Sequence, residues 1–141
     1  MSLKSKDRER AVYAYESVKK FRDRYNTENK SKAEEAENNF KSYAKSILSY
    51  IQLNGLVAAF AFVETKKDKG DNKSNKDTST QAYEGLYRIT QEWIKKIYGL
   101  KDDSDILYIS YYFARLDSEQ YRAVRNEIIK LFSWIRRYAE S

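Results

Sequence analysis

The stretch that decides the fold class is Asp117-Ser-Glu-Gln-Tyr-Arg-Ala-Val-Arg-Asn-Glu-Ile-Ile-Lys-Leu-Phe-Ser-Trp-Ile-Arg-Arg-Tyr-Ala-Glu-Ser141. Its apolar positions recur at gaps of 3, 4, 3, 4 and 3 residues, which keeps them on one face of an α-helix. These positions are Tyr121, Val124, Ile128, Leu131, Ile135 and Tyr138. Asp117 or Ser118 provides an N-cap at the start. The segment is therefore predicted to be an amphipathic helix packed on a core.

The same spacing predicts further helices along the chain. Three of them cover about residues 7–26, 32–52 and 56–65. A fourth helix begins near residues 78–81 and ends at Gly99. Ser31 with Glu34, and Thr78 with Gln81, fit the capping-box pattern. Asn54-Gly55 favours a turn between the second and third helices. Residues 56–63 are apolar all round, so the third helix is expected at the centre of the core or under a partner.

Residues 106–116 are rich in β-branched and aromatic side chains, which would also suit a buried strand. No second strand is predicted that would pair with it, so we interpret the run as a buried helix. Asp102, Asp103 and Asp105 precede it and offer N-caps.

Composition supports an all-α fold. The chain has 141 residues with no Pro and only 4 Gly, so long uninterrupted helices are expected. We predict a compact single domain over residues 1–141, built as a bundle of five to six helices. The polar, low-complexity run at about 66–81 is predicted to be a mobile loop.

The composition also excludes familiar chemistries. With no Cys and no His, the chain lacks thiolate and imidazole metal ligands and Cys–His or Ser–His catalysis. The carboxylate clusters, Glu34 with Glu35 and Asp102 to Asp105, fall at predicted helix N-termini, where the helix dipole explains them. We therefore expect no enzyme activity, no cofactor and no metal. A charged N-terminus and the absence of a long apolar run lead us to expect a soluble, cytoplasmic protein.

A net charge of +6 permits a polyanionic partner without requiring one. On the first helix an outer basic face is expected, made of Arg8, Arg10, Lys19, Lys20, Arg22 and Arg24. Other cations form pairs, Lys41 with Lys45, Lys95 with Lys96, and Arg136 with Arg137. Aromatic residues on the helical seams are expected in the core, namely Tyr25, Phe40, Tyr43, Tyr121 and Tyr138. Aromatic residues off the seams are expected at an exposed interaction surface, namely Tyr13, Tyr50, Tyr108 and Tyr112.

An ordered set of sequence blocks resembles one family. Ile51-Gln-Leu-Asn54-Gly55-Leu56, continuing through Ala61-Phe62 to Lys66, resembles the block I-x-x-N-G-L…F…K of the small helical subunit of the type III-B CRISPR effector, the Cmr complex. A middle block follows, with Ala82-Tyr83, Leu86 and Trp93-Ile94. The ending resembles the family's last block through Asp117, Tyr121-Arg122, Glu127 and Trp134 to Ala139, although the family's Thr falls at Arg125.

The resemblance implies a non-catalytic subunit. Several copies would stack beside the backbone subunits that hold the CRISPR RNA and would help bind the target RNA paired to it. On this reading the nucleic-acid-binding residues are Lys41, Lys45, Arg122, Arg125, Arg136 and Arg137, since guide pairing reads sequence and the protein needs only shape and charge. Two alternatives stay open, an adaptor that binds only protein partners and a stand-alone single-stranded RNA-binding module.

Overall fold

The protein is a helical bundle. The computed structural model describes residues 3–24, 30–68, 77–100 and 108–141, and no strand occurs among them. The helices are α1 Leu3–Arg24, α2 Lys30–Asn54, α3 Leu56–Lys67, α4 Thr78–Tyr98, α5 Ile109–Ala114 and α6 Ser118–Ala139. The predicted all-α bundle of five to six helices is thus confirmed.

Four long helices form a ring. α1 packs on α6, α6 on α2, and α2 on α4, whereas α1 and α4 meet through few residues. α3 and α5 pack together, and α3 also contacts α2 and α4. α2 and α6 run antiparallel, because the start of α2 lies near the carboxyl end of α6 and its end lies near Tyr121. The α1/α4 boundary and the α2/α6 boundary therefore lie on opposite sides of the ring.

The amphipathic seam of α6 forms one wall of the core, as predicted. Val124, Ile128, Leu131 and Ile135 are at most 2% exposed. Full burial of such a side chain contributes about 1.5–3 kcal/mol relative to exposure. Tyr121, at the start of the seam, is half-buried, and its hydroxyl accepts a hydrogen bond from the Leu56 N–H at 2.7 Å. The seam thus attaches α6 to the α2–α3 turn.

That turn follows the prediction for Asn54-Gly55. Gly55 has φ 90° and ψ 171°, a backbone region that is essentially restricted to glycine. A Cβ at this position would lie 2.7 Å from the Tyr121 hydroxyl. Gly99 ends α4 in the left-handed region with φ 62°, as expected for a helix C-terminus.

The helix starts differ in part from those predicted. Asp117 caps α6 in a complete capping box with Gln120, in agreement with the sequence. Both predicted capping boxes are wrong, since Ser31 lies inside α2 and Asp77, not Thr78, caps α4. The Thr78 hydroxyl instead donates to Glu35. α1 spans Leu3–Arg24 rather than 7–26, and residue 26 lies outside the described residues.

The predicted loop at 66–81 was too long. α3 continues to Lys67 and α4 begins at Thr78, so helix occupies both ends of the predicted loop. Residues 69–76 lie outside the described residues, and the single-domain organisation stays a prediction.

α3 is buried on one side only, so the expected central position is wrong, and the alternative that a partner covers its other side stays a prediction. Leu56, Ala59, Phe60 and Val63 are at most 1% exposed, whereas Ala58 and the neighbouring Ala61 are exposed. An apolar composition all round therefore did not mean burial all round. Phe60 supplies the central contact, packing edge-on against Phe113 and Phe132.

The described part of the 106–116 segment is helix α5, so helix rather than strand is confirmed there. Its N-cap position is Tyr108, and the predicted caps Asp102, Asp103 and Asp105 lie outside the described residues. The buried carboxylate of Glu64 on α3 accepts from the Ser110 N–H at 3.0 Å and from the Ser110 hydroxyl at 2.5 Å. α5 is thus held at its start by a side chain from another helix.

Several aromatic residues lie elsewhere than predicted. Tyr13, Tyr50 and Tyr112 pack partly buried against the core, so only Tyr108 of the off-seam group is exposed, at 50%. Phe40 is buried as predicted. Tyr43 and Tyr138 are only half-buried, and Tyr25 lies outside the described residues.

Candidate nucleic-acid interface

Two of the predicted binding residues lie on α2. Lys41 and Lys45 are one turn apart and exposed. On the other flank of the same helix, Asn39 and Tyr43 hydrogen-bond to α4. Helix geometry therefore turns Lys41 and Lys45 toward the side of α2 that borders α6.

Three predicted residues lie on the facing flank of α6. Glu127 and Trp134 bind residues of α1, so they mark the side of α6 that faces α1. Arg125 and Arg136 fall on the opposite flank, toward α2. Arg122 lies beside Arg125 in a shallow depression of about 650 Å³ at the start of α6. We call Lys41, Lys45, Arg122, Arg125 and Arg136, on the two flanks of the α2/α6 boundary, the basic seam.

Arg137 does not belong to the basic seam. Its guanidinium lies 5.0 Å from the centre of the Trp134 ring, and Trp134 in turn stacks on Tyr138 and donates to Asp7 of α1. Adjacent residues of a helix point about 100° apart, which separates Arg137 from Arg136. The pair that the sequence suggested is therefore divided between two surfaces.

Few anions neutralise the basic seam. Within the described residues, Lys41, Lys45, Arg122 and Arg125 form no ion pair. Arg136 pairs with Glu140 at 3.3 Å, but both side chains are more than 40% exposed, so the pair is weak. These cations are thus free to bind a phosphate backbone by charge and hydrogen bonding.

Two cations assigned to the outer face of α1 lie elsewhere. Arg10 is 4% exposed and donates to Glu127 at 2.6 Å and 2.9 Å, while the Trp93 ring N–H donates to the same carboxylate at 2.8 Å. Burial by itself raises the pKa of Glu127, but these hydrogen bonds and the charges of Arg10 and Lys6 lower it overall. This group is therefore structural and joins α1, α4 and α6.

Arg22 closes the end of the bundle. It donates to the Tyr138 and Ala139 carbonyls at 3.3 Å and 3.0 Å and pairs with Glu37 of α2. A cation at the carboxyl end of a helix also interacts favourably with its dipole. Arg10 lies on the same face of α1 as Ala14, Val18 and Phe21, at spacings of four, four and three residues, so the helical periodicity could have indicated its burial. Arg22 gave no such signal, because it lies on the polar flank of the helix.

Sequence reasoning missed a second basic surface. Lys20 and Arg24 of α1 line a groove together with Arg88 and Lys96 of α4. Lys20 and Arg24 had been grouped along α1, but Arg88 had not been singled out. No local spacing could have revealed this arrangement, because it depends on how α1 and α4 pair.

The fold and these surfaces define the class of the protein, a small all-helical bundle with cationic helix boundaries. The chain belongs to the Cas_Cmr5 family of CRISPR-associated proteins, whose family model matches residues 6–141. It is accordingly a small subunit of the type III-B CRISPR effector, the Cmr complex. A search of curated proteins found no match. None of the helices in the described ranges is long and apolar enough to cross a membrane.

Proposed function

We propose that this chain is a non-catalytic, cytoplasmic subunit that stacks in several copies along the backbone subunits of the Cmr complex. There it contacts the target RNA paired to the CRISPR RNA. The basic seam is the observation that supports RNA contact, since most of its cations lack an ion pair in the described parts of the chain.

The geometry of the basic seam suits a strand rather than a single anion. Arg125 and Arg136 are 11 residues apart on α6, a separation of about 16 Å along the helix axis. Lys41 and Lys45 lie on the antiparallel α2 across the boundary. Two rows of cations over this length fit consecutive phosphates, and such contacts carry no sequence information. Phosphate contacts without sequence information are sufficient beside a duplex whose sequence is read by base pairing.

The test is a charge reversal within the reconstituted complex. A triple variant, Lys41→Glu, Lys45→Glu and Arg125→Glu, is expected to weaken target-RNA binding and to flatten its salt dependence. Each lost phosphate contact reduces the slope of log affinity against log salt by roughly 0.7–0.9, so three contacts reduce it by about 2–3. RNA binding is measured by gel shift over a salt series, with and without the backbone subunit.

A matched control separates the basic seam from net charge. Arg8→Glu, Lys19→Glu and Lys130→Glu make the same change in charge at exposed positions that also lack an ion pair in the described structure. This control is expected to keep the salt slope of the natural protein. Equal losses in both variants would mean that only net charge matters, and the basic seam would be wrong.

The remaining outcomes identify the alternatives. Unchanged RNA binding by the seam variant, with normal assembly on the backbone subunit, would indicate a protein-only adaptor. Tight, salt-sensitive binding by the isolated chain would indicate a stand-alone RNA-binding module. The proposed function predicts weak binding alone and strong binding in the complex.

A further inference from the structure

We propose that the groove between α1 and α4, which we call the α1/α4 groove, binds a nucleotide. This site lies across the ring from the basic seam and does not rest on the proposed function. Its volume is about 600 Å³, within the range of about 300–1,000 Å³ typical of small-ligand sites.

The groove exists because of how α1 and α4 meet. Gly85 of α4 has no side chain, so the Phe21 ring of α1 packs directly on it, and a Cβ there would lie 2.9 Å from the ring. Further along the two helices, Tyr13 donates its hydroxyl to the Ile89 carbonyl at 2.5 Å. These two contacts hold α1 and α4 together at the bottom of the groove, and the outer part of the groove between the helices stays open.

The floor is apolar and rigid. Phe21 is 6% exposed and stacks on Phe40 with ring centres 4.3 Å apart. Tyr13 lies against Trp93 at 4.8 Å, and burial raises its pKa to about 12, so its hydroxyl stays neutral at physiological pH. Tyr13, Phe21 and Ile89 together offer a surface on which a nucleobase can pack.

The walls are cationic on both sides. Lys20 comes from α1, and Arg88 and Lys96 come from α4, with Arg24 at one end. Lys20 and Arg88 form no ion pair in the described part of the chain. Among the described residues that line the groove, Glu92 is the one carboxylate, and it is outnumbered by four cations. Its pair with Lys95 at 3.4 Å is weak, because the Glu92 side chain is 54% exposed. Like charges that face each other across a groove favour an anion between them.

The two properties together identify the ligand class. An apolar floor alone suits a hydrophobic side chain, and a cationic wall alone suits any phosphate. Their combination suits a base joined to a phosphate, with the Ser17 hydroxyl as a further hydrogen-bond donor. The nucleotide comes from one of two sources, a free mononucleotide or one unit of an RNA strand.

The experiment uses the whole isolated chain and NMR titration. AMP is the first probe, and inorganic phosphate, adenosine and a five-residue oligouridylate are the others. AMP is expected to shift resonances of groove residues and to bind at least tenfold more tightly than phosphate or adenosine. Tighter binding of the oligouridylate than of AMP identifies the strand as the source if it shifts groove resonances and is lost in Lys20→Glu with Arg88→Glu but kept in Lys41→Glu with Lys45→Glu. Tighter binding of AMP identifies the free nucleotide.

Two variants locate the binding. Lys20→Glu with Arg88→Glu is expected to weaken AMP binding at least tenfold, whereas Lys41→Glu with Lys45→Glu in the basic seam leaves it unchanged. Ser17→Phe fills the groove without changing charge and is expected to block binding too. Circular dichroism confirms that each variant folds.

Three results would overturn the proposal. The first is the absence of binding by AMP and oligouridylate at millimolar concentration. The second is binding that persists in both groove variants. The third is evidence that the base has no role in binding. Either of two findings would give it: inorganic phosphate binds as tightly as AMP, or a polyglutamate peptide with the same affinity as AMP displaces AMP from the groove. The AMP results do not involve the basic seam, and the proposed function is tested by the charge reversal at Lys41, Lys45 and Arg125, so the two proposals fail independently.

Discussion

At the scale of single residues, the Arg10–Glu127 pair joins the N-terminal helix to the last one. Both side chains are 5% exposed, and the two-point contact leaves little of the carboxylate without a partner because Trp93 binds it as well. A buried pair of this kind is weak evidence for high stability, since the loss of hydration offsets much of the attraction. Removing Glu127 is costly nonetheless, because the buried Arg10 then keeps only Asp7 at 2.8 Å, a partner whose side chain is 53% exposed.

We therefore expect Glu127→Gln to lower the free energy of unfolding by about 3–5 kcal/mol. Urea unfolding followed by circular dichroism measures this, and Glu16→Gln at an exposed site of α1 serves as the control. The double variant Arg10→Met with Glu127→Leu is expected to recover part of the loss, because about 1–3 kcal/mol remains for the Trp93 N–H left without an acceptor. A double variant no more stable than Glu127→Gln would contradict the account of an unpaired buried charge.

The lowered pKa of Glu127 adds a pH dependence with a definite sign. A carboxyl with a depressed pKa in the folded state stabilises the fold above its unfolded pKa of about 4.3 and loses that contribution as pH falls through the folded pKa. The difference in stability between the natural protein and Glu127→Gln is therefore expected to shrink below about pH 4. A difference that stays constant from pH 7 to pH 3 would show that the carboxylate charge is not involved.

At the scale of elements, α5 is the helix that depends most on its neighbours. It has six residues, too few to be stable alone. Glu64 binds its first turn, and Tyr87 connects the two helices by donating to Glu64 at 2.6 Å and accepting from the Ile109 N–H at 2.9 Å. Burial and the hydrogen bond to Glu64 raise the pKa of Tyr87, so this hydroxyl remains a donor.

Glu64→Gln is expected to loosen α5 selectively. The amide oxygen can still accept from Tyr87 and from the Ser110 N–H, but the amide NH2 then requires the Ser110 hydroxyl to turn and accept. All three hydrogen bonds lose the carboxylate charge, which costs about 1–3 kcal/mol. Hydrogen exchange followed by mass spectrometry should show at least tenfold faster exchange in residues 109–114 and unchanged exchange at the centre of α6. Glu9→Gln, at an exposed position of α1, is the control, and uniform acceleration across the bundle would refute a local role for Glu64.

These helices show which structural features could be predicted from the sequence and which could not. The spacing of apolar residues predicted the buried face of α6, and the residue types at its start limited the cap to Asp117 or Ser118, because both features depend on neighbours in the chain. The same reasoning placed caps at Ser31 and Thr78, which fit the capping pattern equally well. It had no means of finding that Glu64, a charged residue in an apolar helix, is buried because it binds α5.

At the scale of the whole molecule, the contact between α1 and α4 completes the ring of helices. Gly85 determines how closely these two helices approach each other. Alanine would gain about 1 kcal/mol of helix propensity over glycine. It would also place a Cβ 2.9 Å from the Phe21 ring, which Phe40 holds in place. Overpacking of a fixed core costs about 1–3 kcal/mol, so the contact outweighs the propensity.

We expect Gly85→Ala to lower the free energy of unfolding by up to about 2 kcal/mol, which is the overpacking cost less the gain in helix propensity. In a Phe21→Leu background the added methyl group has room, and the same change is expected to be neutral or stabilising. The two differences are compared by urea unfolding. An equal loss in both backgrounds would contradict the view that Phe21 sets the closure of the ring.

The sequence by itself determined the helical class, most helix boundaries to within a few residues, the seam of α6 and the resemblance to the small subunit of the Cmr complex. These features depend on periodicity, caps and ordered motifs, which are local properties of the chain. The tertiary structure alone decided that Arg10 pairs with Glu127, which surfaces Arg136 and Arg137 face, and that Lys20 and Arg88 share a groove. Such facts depend on which helices become neighbours, and that follows from the packing of all the seams at once.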